Sequence, residues 1–290
     1  MQLKAYLSQI TQNLSDFFPE IWLSLLFIAL LLAELVFKHS RWSARVDTIL
    51  RWVCWGGIGI ALGLVLLQQN APAGHLFHQL LYLDAKALFF KVLILGATLL
   101  VLLHVQLTSS TLPSEFYSLL VAVALGLCLM TMATNGLSIY LSIELVSIGS
   151  YLLAAFGQGK KSSEGALKYL LFGAMSSGVM LYGLSFLYGL TGTLDVTSEV
   201  FARELAQNPP EVLWVVGFLT LAGVLFKFSL VPFHVYAPDM YEGAPTPVVA
   251  YLSTAPKVAA LLVLMRLVSV LPVELPQILT VLVLTSILVG

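Results

Sequence analysis

Phe226-Lys227-Phe228-Ser229-Leu230-Val231-Pro232-Phe233-His234 lies at the centre of an apolar run covering residues 211–242. Those 32 residues would measure about 48 Å as a straight helix at 1.5 Å per residue. The hydrocarbon core of a bilayer is only about 30 Å thick. Pro232 stands in the middle of the run and Pro238 follows it. Proline removes a helix hydrogen bond and clashes with the preceding turn. The run is therefore predicted to be a discontinuous helix, broken near residues 230–233. Broken helices occur at membrane depth where they line buried or watery cavities, and in transporters they mark the ion site.

Composition says why a membrane is the right frame. Of 290 residues, 59% are apolar and 10% are charged, against about 25% charged in soluble domains. The mean hydropathy is +0.95, so polar surface is too scarce to solvate a protein of this size in water. In lipid every backbone N–H and C=O needs an internal partner, which leaves helices or closed barrels. The apolar runs are continuous and about 20 residues long, as helices require; barrel strands are about 10 residues and alternate. The expected fold is an all-α, polytopic transmembrane helix bundle.

Nine hydrophobic segments are expected, at roughly 20–37, 49–69, 87–106, 113–134, 136–157, 164–190, 211–242, 243–270 and 275–290. The connections are short apart from 70–86 and 191–210, and no soluble domain is expected. The chain reads as one transmembrane domain over 1–290. Three helices fill 1–106, a second group fills 113–270, and a ninth helix starts at 275. The last segment stops at Ile287-Leu288-Val289-Gly290 without a polar flank. Spanning helices usually end in interfacial anchors, so this is expected to be the N-terminal part of a longer protein.

Lys38, Arg41, Arg45 and Arg51 lie between segments one and two, and Lys160 and Lys161 between five and six. By parity both clusters fall on one side, which the positive-inside bias makes cytoplasmic. The N-terminus is then outside, in a cell inner (plasma) membrane protein. The loop 191–210, with Asp195, Glu199 and Glu204 against Arg203, also falls outside.

Several functions are disfavoured. A net charge of −1 offers no basic surface for nucleic acid. Cys54 and Cys128 sit inside apolar runs and read as small buried hydrophobes, not as a disulfide or metal pair. Residues 1–18 lack the form of a signal peptide. With no glycine-rich phosphate loop and no cysteine cluster, the chain itself is expected to hold no nucleotide, flavin, iron–sulfur centre or metal.

Three charges stand at mid-membrane depth: Glu144 in segment five, Lys227 in segment seven and Lys257 in segment eight. Each lies about 10 residues or more from the end of its segment, too far to snorkel. A central charge costs at least ~2.5–3.5 kcal/mol, so these must be paired or wetted. Desolvation disfavours the charged form of a buried lysine and a nearby carboxylate favours it. A Glu144–Lys227 pair within about 4–6 Å would thus switch the lysine between holding and releasing a proton. Lys257 would be the next carrier. Ser147, Ser150, Ser176, Ser177, Ser229, Ser253 and Thr254 could hold connecting waters. The plainer reading is that the charges are structural ion pairs between helices. Three at one depth beside a proline break favour function.

Other charges support weaker readings. Lys168, one turn into segment six, suits snorkelling or proton uptake. His234, just past Pro232, suits a proton relay or a helix-break cap. Glu34, Lys91 and Arg266 lie near span ends and read as interfacial anchors, and His104 as facing the interface. Phe89-Phe90 and Trp52/Trp55 read as lipid-facing or interfacial.

The most specific stretch is Phe226 to His234, followed by Ala237-Pro238-Asp239-Met240-Tyr241-Glu242-Gly243-Ala244-Pro245-Thr246-Pro247-Val248. It continues as Ala250-Tyr251-Leu252-Ser253-Thr254-Ala255-Pro256-Lys257. With the Glu144 stretch and Gly165-Ala166-Leu167-Lys168-Tyr169, it resembles the subunit N family of bacterial NADH–quinone oxidoreductase (respiratory complex I). That family is one of the antiporter-like membrane subunits, related to types L and M. The resemblance implies an antiporter-like fold of fourteen helices with two inverted five-helix repeats, segments four to eight being the first. It implies that Glu144 and Lys227 match a proton-translocating pair, Lys257 a connecting lysine on a central polar axis, and Lys168 a further lysine. It implies that flavin (FMN), iron–sulfur clusters and the quinone site belong to partner subunits. The partners would be other antiporter-like and small membrane subunits, the lipid bilayer and protons. Tyr236 departs from the family, which often has tryptophan there. The chain also stops before the second repeat. Two competing functions remain: a subunit of a multi-subunit cation/proton antiporter, and a scaffold whose buried charges only hold helices together.

Overall fold

The computed structural model describes residues 13–37, 43–108, 112–270 and 275–289. The expected features at residues 1–12, Lys38, Arg41 and Gly290 lie outside those residues, as does the side chain of Arg45. The helices are α1 Phe18–Phe37, α2 Ser43–Leu67, α3 Ala85–Leu107, α4 Glu115–Met132, α5 Gly136–Ala154, α6 Lys160–Thr191, α7 Glu199–Ala206, α8 Pro210–Phe228, α9 Ala237–Gly243, α10 Thr246–Leu252, α11 Ala255–Val270 and α12 Leu275–Val289. Among the described residues, eight segments are long and apolar enough to cross a membrane. The chain is a multi-pass α-helical membrane protein.

Lipid tails are as apolar as leucine, so helices in a bilayer associate by close packing rather than by hiding apolar surface from water. Small residues show where this matters. At Gly183 of α6 an added Cβ would stand 2.4 Å from the backbone nitrogen of Thr220 in α8. At Gly57 of α2 it would strike Leu26 of α1. Next to that contact, Trp22 of α1 donates from Nε1 to the Gly57 carbonyl at 2.9 Å. Helix α4 is the hub, packed against α1, α3, α5 and α11.

The two long connections are more structured than expected. Residues 70–86 contain an antiparallel hairpin, β1 Gly74–Leu76 and β2 Leu81–Leu83, with His75 opposite Tyr82. Residues 191–210 contain α7, capped by the Ser198 hydroxyl, which accepts from Phe201 N–H. Both are tied to the α4–α5 corner. The Leu80 carbonyl accepts from Thr134 N–H and the Ser138 hydroxyl, and Gly136 N–H donates to the Leu194 carbonyl at 2.8 Å.

Segment seven is broken as predicted. Helix α8 ends at Phe228 and α9 begins at Ala237. Ser229 adopts the left-handed conformation (φ 56°) and Leu230 N–H reaches back to the Leu225 carbonyl at 3.0 Å. This is the hydrogen-bond pattern of a Schellman stop. Backbone groups freed by the break find other partners. The Tyr236 hydroxyl donates to the Phe226 carbonyl at 2.8 Å, and Val231 N–H donates to the Ser286 hydroxyl of α12 at 3.0 Å. Segment eight departs from expectation, because it too is interrupted. Turn residues Ser253 and Thr254 separate α10 from α11. Pro256 cannot supply the N–H that a continuous helix would give to the Leu252 carbonyl.

Candidate functional site

Lys227 is the penultimate residue of α8 and only 4% exposed. Its Nζ has no hydrogen-bonding partner. Glu144 stands midway along α5, with Oε1 buried and equally without a hydrogen-bonding partner. The two do not close to a 4.0 Å ion pair, and their helices α5 and α8 both pack against α6. The expectation that both lysines sit far from helix ends is corrected by the interruptions. Lys227 lies in the last turn of α8, where the negative end of the helix dipole favours an ammonium. Lys257 lies in the first turn of α11, where the positive end disfavours one. Lys257 is half-buried.

The hydroxyls divide in the same way. Ser147, Ser150, Ser176 and Ser177 are buried, with Ser147 about one turn beyond Glu144 on α5. Ser229, Ser253 and Thr254 lie at the two interruptions, and Thr254 is exposed. His234 is half-buried within the break and its Nδ1 has no partner.

Lys168 is not brought to this group. It is 38% exposed and forms ion pairs with Asp239 at 2.6 Å and Glu164 at 2.7 Å. With the exposed Lys161–Glu242 pair at 2.5 Å, it fastens α9 to the start of α6. An aromatic stack joins the sequence neighbours of Lys168 and Lys227. Tyr169, next to Lys168, stacks on Phe226, next to Lys227, with centroids 5.6 Å apart, and Tyr236 packs on both. Tyr236 thus does more than fill a tryptophan position. Its hydroxyl also lies 2.9 Å from Ser229 Oγ, so it closes the end of α8.

The three predicted interfacial anchors are corrected. Lys91 is fully buried, with Nζ 2.7 Å from Oε1 of Glu20, which is also fully buried. The angle of that ion pair lies outside hydrogen-bond geometry. Glu34 is buried and accepts from the Ser114 and Ser118 hydroxyls at 3.3 and 3.4 Å. Arg266 pairs with Asp84, the N-cap of α3, at 2.9 Å. In each case neighbouring protein covers the span end, so proximity to an end does not mean exposure. Glu20 escaped sequence reasoning. The available signal was parity: segments one and three start on the same side, with Glu20 and Lys91 each within two turns of a start.

Among the described residues no group of three or more His, Cys, Asp or Glu side chains is placed to hold a metal ion. The arrangement consists of two amines at helix interruptions, one buried and one half-buried, and a half-buried carboxylate on a continuous helix, with hydroxyls nearby.

This is the architecture of an antiporter-like membrane subunit, and the chain belongs to the NADH:quinone oxidoreductase/Mrp antiporter transmembrane family, whose model matches residues 133–290. The particular relatives are quinone oxidoreductase subunits, as the sequence resemblance implied. The chain is 38% identical over 280 residues to NADH-quinone oxidoreductase subunit N of Chlorobium chlorochromatii (strain CaD3), covering 93% of this chain and 53% of that one. It is 39% identical over 256 residues to NAD(P)H-quinone oxidoreductase subunit 2 of Synechococcus sp. (strain CC9311), covering 86% and 47%. In three dimensions it matches a chain of respiratory complex I from Thermus thermophilus with a TM-score of 0.76 and 29% identity, over 94% of this chain and 57% of that one. The Mrp complex of Dietzia sp. DQ12-45-1b shares the fold, with a TM-score of 0.74 and 16% identity over 89% and 49%. The chain spans about half the length of the curated relatives it matches.

Proposed function

We propose that this chain serves in a proton-translocating membrane subunit of NADH–quinone oxidoreductase, in a cell inner membrane with its N-terminus outside. The redox centres, namely flavin, iron–sulfur clusters and quinone site, belong to partner subunits. Other membrane subunits of the complex flank it. The observation that carries this reading is the buried, unpartnered Lys227 amine at a helix interruption.

A lone buried ammonium is held only while a carboxylate or a helix end compensates it. Approach of Glu144 favours the ammonium, and retreat favours the neutral amine. The released proton passes toward Lys257 at the second interruption. Lys168 and its two carboxylates form the exposed end of this arrangement. In this reading the stacked rings of Tyr169, Phe226 and Tyr236, beside Lys168 and Lys227 in the chain, serve as an apolar barrier to water.

The test is Lys227→Ala in the full-length gene, measured in inverted membrane vesicles. NADH oxidation and the NADH-driven pH gradient are recorded together and normalised to assembled complex. Both are expected to fall while assembly holds. If both persist and sodium–proton exchange is lost, the chain is an antiporter subunit. If only assembly falls, the buried charges are scaffolding.

A further inference from the structure

The Glu20–Lys91 ion pair has no part in the mechanism above, yet it is the most completely buried charge pair among the described residues. Replacing a buried pair with apolar side chains of similar volume is often neutral or stabilising. Stability alone therefore gives little reason to keep it. Ionisable groups buried in a membrane bundle are functional by default.

Its surroundings point in a direction. Lys91 and Thr98 are seven residues apart on α3 and share a face, about 10 Å apart along the axis. Thr98 Oγ lies 3.2 Å from the Tyr251 hydroxyl, and both side chains are fully buried. Cys128, on α4, which packs against both α1 and α3, is fully buried as well. Tyr251 is the penultimate residue of α10, immediately ahead of the interruption that presents Lys257. A file of buried polar groups thus runs from the N-terminal three helices to the Lys257 break.

We propose that Glu20 and Lys91 are a second ionisable pair of the translocation machinery. They are positioning residues, whose proton distribution acts on Lys257 through the Thr98–Tyr251 contact. The step is one proton transfer, made when the side chains turn into hydrogen-bond geometry: an Nζ–H bond of Lys91 breaks and an O–H bond forms on Glu20. The ion pair becomes an amine and a carboxylic acid with no change in net charge. The buried dipole collapses and the field along α3 changes with it. This inference rests on the proton-translocating function proposed above.

The experiment uses the full-length gene in the assembled complex, in inverted vesicles, and reads protons moved per NADH oxidised. Lys91→Arg keeps the positive charge but cannot release its proton. The double variant Glu20→Leu with Lys91→Met removes the pair without stranding a charge. Both are expected to assemble and to lose proton yield per NADH. A wild-type yield from either assembled variant overturns the proposal, because a structural pair would change the amount of complex and leave its yield alone. Failure of both to assemble assigns the pair to folding and also overturns it. Lys227→Ala is measured alongside. If assembled Lys227→Ala keeps both wild-type NADH oxidation and the wild-type pH gradient, the parent function fails. If it loses them while the other two variants keep the wild-type yield, only this inference fails.

Discussion

Among the described residues, Glu20 with Lys91 and Glu144 with Lys227 are two glutamate–lysine combinations within the helix bundle, and they are held differently. Glu20 and Lys91 sit on continuous helices and close to 2.7 Å. Glu144 and Lys227 remain apart, and Lys227 stands where its helix stops. In the first region the partner carboxylate compensates the charge. In the second the compensation is looser: a helix terminus, a carboxylate at a distance, and polar groups around a break. A closed pair is a resting arrangement with a large cost of disruption. An open pair is poised, because small movements change which protonation state is favoured.

The sharpest way to break this comparison is to strand one member of the closed pair. Lys91→Met alone should destabilise by about 3–5 kcal/mol, since it leaves Glu20 buried and uncompensated. The readout is the temperature at which the subunit is lost from the detergent-purified complex. A loss no larger than that of a surface substitution would mean that the pair is not buried as described.

The next largest effect is expected at the break itself. Tyr236→Phe deletes a hydroxyl that donates to the Phe226 carbonyl and touches Ser229. It should cost about 0.5–1.5 kcal/mol on the same thermal readout, the net worth of one hydrogen bond, because the Phe226 carbonyl still accepts from Ser229 N–H. If stability is unchanged, the end of α8 is closed by something other than Tyr236.

Lys227→Met then tests the open pair directly. The amine has no partner to lose, so the substitution should leave the thermal midpoint unchanged or raise it while proton translocation fails. Function kept at the expense of stability is the usual signature of an active site. A fall as large as that of Lys91→Met would erase the distinction between the two regions. The smallest effect is expected at Lys161→Ala. That pair is solvent-exposed at both ends, and exposed ion pairs contribute little, so neither stability nor proton yield should move measurably.

Legibility in the sequence followed the range of the interaction. Pro232 declared the break in segment seven because a missing N–H is a local fact, and the stop fell at Phe228 as the proline required. Pro256 carried the same signal for segment eight. There it was obscured, because Lys257 reads as mid-span and the interruption is only two residues long. Lys91, Glu34 and Arg266 were misplaced because distance from a span end was equated with exposure. The hairpin and α7 lay in stretches read only as connections, although Phe201 and Leu205, four residues apart, carried a helical signal for α7.

The sequence by itself determined that this chain lives in a bilayer as a bundle of helices and that one helix is broken at Pro232. Each of those follows from hydropathy, length and backbone chemistry read along the chain. Tertiary structure alone decided which charges meet. Glu20 finds Lys91, Arg266 finds Asp84, and Lys227 finds no partner. Pairing depends on which helix faces pack together, and in lipid that is set by the close fit of small residues between helices rather than by any pattern within one of them.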